Sequence, residues 1–236
     1  MKFLIKTFSL LCLLTQASCG GNSSSSSHKS NEINEEPRLQ EEMQITEGTY
    51  KAILRPYNFT VAGWIPNGMV DIKIVGDQIE INSWLDDSSN VVHMQNIHVG
   101  NQCPTSAQDA NQDGFVDFNE SMSVAKRILV PLDTDLNSQT DGGNVYPTGN
   151  FTYSQKASLA NMLNDLKQQD LVDNDHIVKL LPSQNLNLEG RVIIVTGAAI
   201  NRALPTTVST VNGQTSQLSM PIACGVIVRM PEVAGN

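Results

Sequence analysis

Residues 109 to 120 read DANQDGFVDFNE. Asp109, Asn111, Asp113, Asp117 and Glu120 place oxygen-bearing side chains at the first, third, fifth, ninth and twelfth positions of that stretch, and Gly114 takes the sixth. Calcium is a hard cation that takes about six to eight oxygens at roughly 2.3–2.6 Å. The side chains at these positions, with the backbone carbonyl of Phe115 at the seventh, supply such a set. Gly114 falls where a chain wrapping one ion must turn sharply. Val116, at the eighth position, is apolar and suited to pack inward. An acidic turn with Asp-Gly at its tip is the simpler alternative, but it gives no reason for Glu120, six residues past the glycine.

The pattern resembles the twelve-residue loop of EF-hand proteins. The resemblance implies that Glu120 binds calcium through both oxygens and that Asp117 binds directly or through a water. A complete hand has a helix on each side. Upstream, NIHVGNQCPTSAQ contains Pro104 and no apolar helical stripe. Downstream, FNESMSVAKRI can supply a helical turn or two with Phe118, Met122 and Ala125 on one side. No second loop matches: in DTDLNSQTDGGN, Ser138 and Asn144 stand at the sixth and twelfth positions. Sensors that open a helix pair need both helices. The expected role of calcium is therefore structural, with a dissociation constant of roughly 10⁻⁶–10⁻³ M.

The elements that position this loop are mostly strands. Residues 48 to 98 alternate and are rich in β-branched residues, as in VAGWIP, MVDIKIVG and QIEINSWL. Gly76-Asp77 lies between two alternating runs and predicts a two-residue hairpin. VVHMQNIHVG, RILVPLDTDL, GRVIIVTGAAI and IACGVIVRM read as further strands, with an Asn212-Gly213 turn before the last. YSQKASLANMLNDLKQQD predicts one helix, with Leu159, Met162, Leu163 and Leu166 on one face and Ser154 as N-cap. The expected fold is mainly β: an antiparallel, Greek-key-like sandwich of about eight strands, with one inserted helix and the calcium loop.

The chain has 236 residues, a net charge of −9, 5% aromatic and 17% charged residues, a globular composition. No cluster of Lys and Arg offers itself to nucleic acid. Residues 1 to 18 read as a signal peptide: Lys2 and Lys6 flank a start followed by the short apolar run TFSLLCLL, and TQAS supplies small residues. Cleavage after Ala17 would release a soluble protein. Alternatively, Cys19, followed by GGNSSSSSHKS, resembles the lipidated cysteine of a bacterial lipoprotein, although Gln16 stands where the family carries leucine. Residues 19 to 44 are too polar to order themselves and predict a tether carrying His28. The folded domain is expected over 45–236. In an exported domain Cys103 and Cys224 are expected to pair, against the alternative of two buried thiols.

The ending EGRVIIVTG, then IACGVIV after a polar loop, resembles the copper-zinc superoxide dismutases, and more loosely the CHRD domains of secreted proteins. That resemblance implies a sandwich in which Cys224 pairs with Cys103, which follows NIHVG. It does not carry the metal site. The family's copper and zinc are held by a larger histidine set, and this chain has four histidines in all. His93 and His98 are five apart, which in a strand puts them on opposite faces. Thr196 stands where the family has a copper-binding histidine. His93, His98 and His176 read as structural, and no nucleophile with a base, phosphate-binding glycine loop or zinc motif is present. The sequence thus points to an exported, non-enzymatic calcium protein with a role in the envelope or in binding. Its membrane contact would run through a lipid on Cys19, and a protein or glycan partner is open. A degenerate dismutase-like metalloenzyme and a calcium-dependent adhesion module are the alternatives.

Overall fold

A computed structural model describes residues 46–59, 65–86, 90–134, 136, 146–168, 180, 186–199, 203–211 and 214–231. The expected leader and tether, Cys19, His28, His176 and the Asn212-Gly213 turn lie outside them.

The fold is mainly β. Eight antiparallel strands form one sheet: β1 (Gly48–Pro56), β2 (Asn67–Val75), β3 (Gln78–Asp86), β4 (Gln95–His98), β5 (Ile128–Pro131), β6 (Phe151–Ser158), β7 (Val192–Thr196) and β8 (Pro221–Arg229). Their order across the sheet is β5-β4-β7-β8-β1-β2-β3-β6. The sheet curls so that its two ends face one another across a shared core, as the halves of a sandwich do. Ile72 and Ile81 from one half and Ile97, Ile193 and Val195 from the other belong to the same buried cluster. The chain crosses between the halves after β3, after β5 and again after β6, which makes the connection Greek-key-like.

Alternation explains half of the sheet. In β2 and β3, residues pointing inward are buried and their neighbours are not. Gly76-Asp77 closes the hairpin between them, with Val75 opposite Gln78 and Gly76 at φ 55°. That left-handed backbone is the reason for glycine there. β4, β5 and β7 do not alternate; they are buried throughout. Strands covered on both faces read as continuous apolar runs. In β7, Ile193 and Val195 face the main core, whereas Val192 and Ile194 belong to a second cluster with Ala125 and Cys224. What covers this outer face is the segment carrying residues 103 to 125.

The expected helix is present as α2, but it begins later than the sequence indicates. Helix α1 is Phe118–Ala125, α2 is Leu159–Gln168, and α3 is the short Ser216–Ser219. Ser154 is not a cap; it sits in β6, opposite Asn82 of β3. FTYSQKAS takes the strand because β3 offers a free edge along its whole length, and pairing outweighs helical spacing. The cap comes from the hairpin instead: Asp77 Oδ1 accepts from the Ala160 amide at 2.8 Å and Asp77 Oδ2 from the Ser158 hydroxyl at 2.7 Å. These two bonds, the Ser158 hydroxyl first, hold the Asp77 carboxyl below the usual range. Met162 and Leu166 of α2 enter the core.

Candidate metal centre

The segment 100–126 lies over β4, β7 and β8 and is fastened at both ends. Cys103 is bonded to Cys224 of β8, with Cα atoms 5.7 Å apart. The free-thiol alternative is thereby excluded. At the other end the Gly100 amide donates to the Ala125 carbonyl at 2.7 Å, and His98 Nδ1 donates to the Lys126 carbonyl at 2.8 Å. Between these anchors comes one turn of 3₁₀ helix, Ser106–Gln108, capped by Thr105. Then follow residues 109 to 120 and α1.

Within the stretch the chain coils on itself. Asp109 Oδ1 accepts from the Asp113 amide at 3.1 Å, and Asp109 Oδ2 from the Gly114 amide at 3.0 Å. Asn111 Oδ1 also accepts from the Asp113 amide, at 2.9 Å, and Asp113 Oδ1 accepts from the Phe115 amide at 3.0 Å. Gly114 has φ 90°, a conformation side chains rarely adopt, so the sixth position turns where the sequence places its glycine. Val116 and Phe118 are buried, at 5% and 2% exposure, and fix the loop to the body of the protein.

Helix α1 starts at the tenth position, so Glu120 lies on its first turn. Asp117 is its N-cap: Oδ1 accepts from the Glu120 amide at 3.0 Å, and Glu120 Oε2 accepts from the Asp117 amide at 3.0 Å. Glu120 Oε1 reaches across the loop to the amides of Ala110 at 2.9 Å and Asn111 at 3.3 Å. The first and last turns of the stretch are thus brought together by one carboxylate. A helix follows the stretch, and a single 3₁₀ turn precedes it. Phe118 and Ala125 are buried and Met122 is partly so, the face expected from the sequence.

Among the described residues, no three His, Cys, Asp or Glu side chains converge as a ready metal centre. The bonds just given supply the reason. Both oxygens of Glu120 face backbone amides, Asp113 Oδ2 accepts from the Thr207 hydroxyl at 2.6 Å, and Asp117 Oδ2 accepts from the Ser209 amide at 2.7 Å. The loop path and its oxygen set suit a hard cation. To bind a cation there, Glu120 would have to give up its amide partners.

Three contacts with this stretch were not legible in the sequence. They come from Asn58, Thr207 and Ser209, which lie 58, 94 and 92 residues from their partners. Nothing in local spacing marks them. The histidines are elsewhere. His93 is buried, with Nδ1 donating to the Thr196 carbonyl at 3.1 Å, and His98 is buried beside Phe118. Burial pulls the His98 pKa down to about 4, against a smaller opposing effect of its bond to Lys126.

No protein-family model matches the chain. No curated protein matches it either. Among solved structures, the crystal structure of the clock protein EA4 is similar, with a TM-score of 0.35 and 13% identity over 79% of this chain and 98% of that one. That degree of overlap assigns this chain no family and no activity. No helix among the described residues is long and apolar enough to cross a membrane.

Proposed function

We propose that this chain is an exported, non-enzymatic β-sheet protein in which residues 109–120 form an EF-hand-type calcium loop of structural role. Asp109, Asn111, Asp113, the Phe115 carbonyl and Glu120 hold the ion, and Asp117 contributes directly or through a water. The observation that carries this reading is the position of Glu120. It lies on the first turn of α1 and reaches back to the amides of Ala110 and Asn111, so the twelfth residue already lies against the start of the loop. Calcium supplies a positive centre for four carboxylates that otherwise rely on backbone amides and the Thr207 hydroxyl.

The bound ion fixes segment 100–126 against the outer face of β4 and β7 and so shields Val192 and Ile194. The remodelled dismutase-like ending serves as scaffold, with no copper or zinc chemistry. Cys19 carries a lipid that holds the domain at the outer membrane or the periplasmic membrane surface, where it serves an envelope or binding role. Cleavage after Ala17 would instead leave it secreted or periplasmic.

Calorimetric titration of the purified protein with calcium tests the reading. One site with a dissociation constant of roughly 10⁻⁶–10⁻³ M is the expected result. Absence of heat, together with copper or zinc in the purified protein by metal analysis, would replace it with the metalloenzyme reading.

A further inference from the structure

We infer that Asn58 is a positioning residue for the metal loop: its side-chain amide does for Val116 what a neighbouring strand would do. This rests on the calcium reading above and explains how a lone loop is held in shape.

Asn58 follows β1 by two residues. Its Oδ1 accepts from the Val116 amide at 2.9 Å, and its Nδ2 donates to the Val116 carbonyl at 2.7 Å. Both backbone groups of the eighth loop position are therefore satisfied by one side chain. Paired strands exchange two such bonds between facing residues, and an amide side chain carries the same donor and acceptor side by side. The second Nδ2 hydrogen is directed at the Pro221 carbonyl, 3.0 Å away, at the start of β8; Met220 Sδ lies at 3.3 Å. Asn58 thus ties the loop to the same strand that holds Cys103 through Cys224, at a second point.

Its own placement is fixed independently. The Tyr57 amide donates to the Ile222 carbonyl at 2.9 Å, and the Tyr57 hydroxyl lies 3.4 Å from Ser121 Oγ of α1. Asn58 adopts φ 53°, a left-handed backbone for which asparagine is among the few suitable residues besides glycine. Thr207 and Ser209 hold Asp113 and Asp117. Val116 sits directly between Phe115, whose carbonyl is a ligand, and Asp117. Fixing its backbone on both sides fixes the direction in which those two present their oxygens. Without Asn58 the ion has to order this stretch itself, and that ordering cost appears as lost affinity.

The test is calcium titration of the wild-type protein and of Asn58→Gly at a temperature where both give the same folded circular dichroism. Glycine keeps the left-handed backbone and removes only the amide. The expected result is a dissociation constant raised about tenfold, equivalent to about 1.4 kcal/mol. A merely structural role would lower the melting temperature of the calcium-free protein and leave the affinity of the folded form unchanged; that result overturns the inference and leaves the calcium reading intact. No binding by the wild type overturns both. Should Asn58→Gly fail to fold, hydrogen exchange of the wild type decides. The Val116 amide is expected to be protected in calcium-free protein, and exchange as fast as that of the exposed Gln112 overturns the inference.

Discussion

Cys103 and Cys224 are bonded across 121 residues, and Cys103 lies six residues ahead of Asp109, the first acidic residue of the stretch 109–120. The bond joins the approach to that stretch to β8, the strand shared by both halves of the sheet. A cross-link that closes so long a segment restricts the unfolded chain strongly. Replacing both cysteines by alanine is expected to lower stability by roughly 4–5 kcal/mol, by the loop-entropy relation. Urea unfolding of the wild type and the double variant measures this; a loss below about 1 kcal/mol would show that the bond constrains little.

Asp117 accepts two backbone hydrogen bonds through its carboxylate. It is 3% exposed, caps α1 and holds the Ser209 amide. Asp117→Ala removes the cap, worth about 1 kcal/mol, and leaves the Ser209 amide without its acceptor, at about 1–2 kcal/mol for a partly buried group. A loss of about 2–3 kcal/mol is expected in chelator-treated protein. Equal urea midpoints for the two proteins in the presence of chelator would refute this.

Glu120 is expected to behave differently. Two of its three amide partners, Ala110 and Asn111, are exposed, so Glu120→Gln costs little in chelator. With calcium at about 100 times the dissociation constant, the wild type gains about 2.7 kcal/mol and the variant gains far less. Thermal melts with and without calcium read the difference. A wild-type melting temperature indifferent to calcium sinks the structural role assigned to the ion.

His98 makes stability depend on pH between the two values of its pKa. Its Nδ1–H donates to a carbonyl, and its buried Nε2 has no partner among the described residues, so a second proton has nothing to bind. The unfolded imidazole takes up its proton near 6.5 and the folded one only near 4. Between those values the unfolded chain binds more protons, so stability is complete above pH 6.5 and falls as pH drops toward 4. About 3 kcal/mol is lost across this window. His98→Gln is expected to remove most of the slope. Urea midpoints at pH 7.0 and 4.5 give the comparison, and an unchanged slope in the variant would assign the dependence to other groups.

Where a property depends on near neighbours, the residues declare it. Period-two patterns mark β2 and β3, and Gly76-Asp77 marks their hairpin because only a few residues accept that backbone. The spacing from Asp109 to Glu120, with Gly114 at the turn, is local in the same sense, and so is the apolar face of α1. The pairing of Cys103 with Cys224 was legible by elimination and by resemblance.

Other features were decided at long range. Ser154 lies in a strand because β3 had an unpaired edge, which no window of sequence around Ser154 contains. The unbroken apolar run in β7 records two covered faces, but not that residues 100–126 supply one of them. Asn58, Thr207 and Ser209 meet the loop only because β1, β8 and the segment before α3 converge there. Side-chain hydrogen bonds act over about 3 Å, so their partners are set by where the sheet brings the chain and not by separation along it. The amino-acid sequence determined the spacing of the acidic residues from Asp109 to Glu120; the tertiary structure decided what holds those residues.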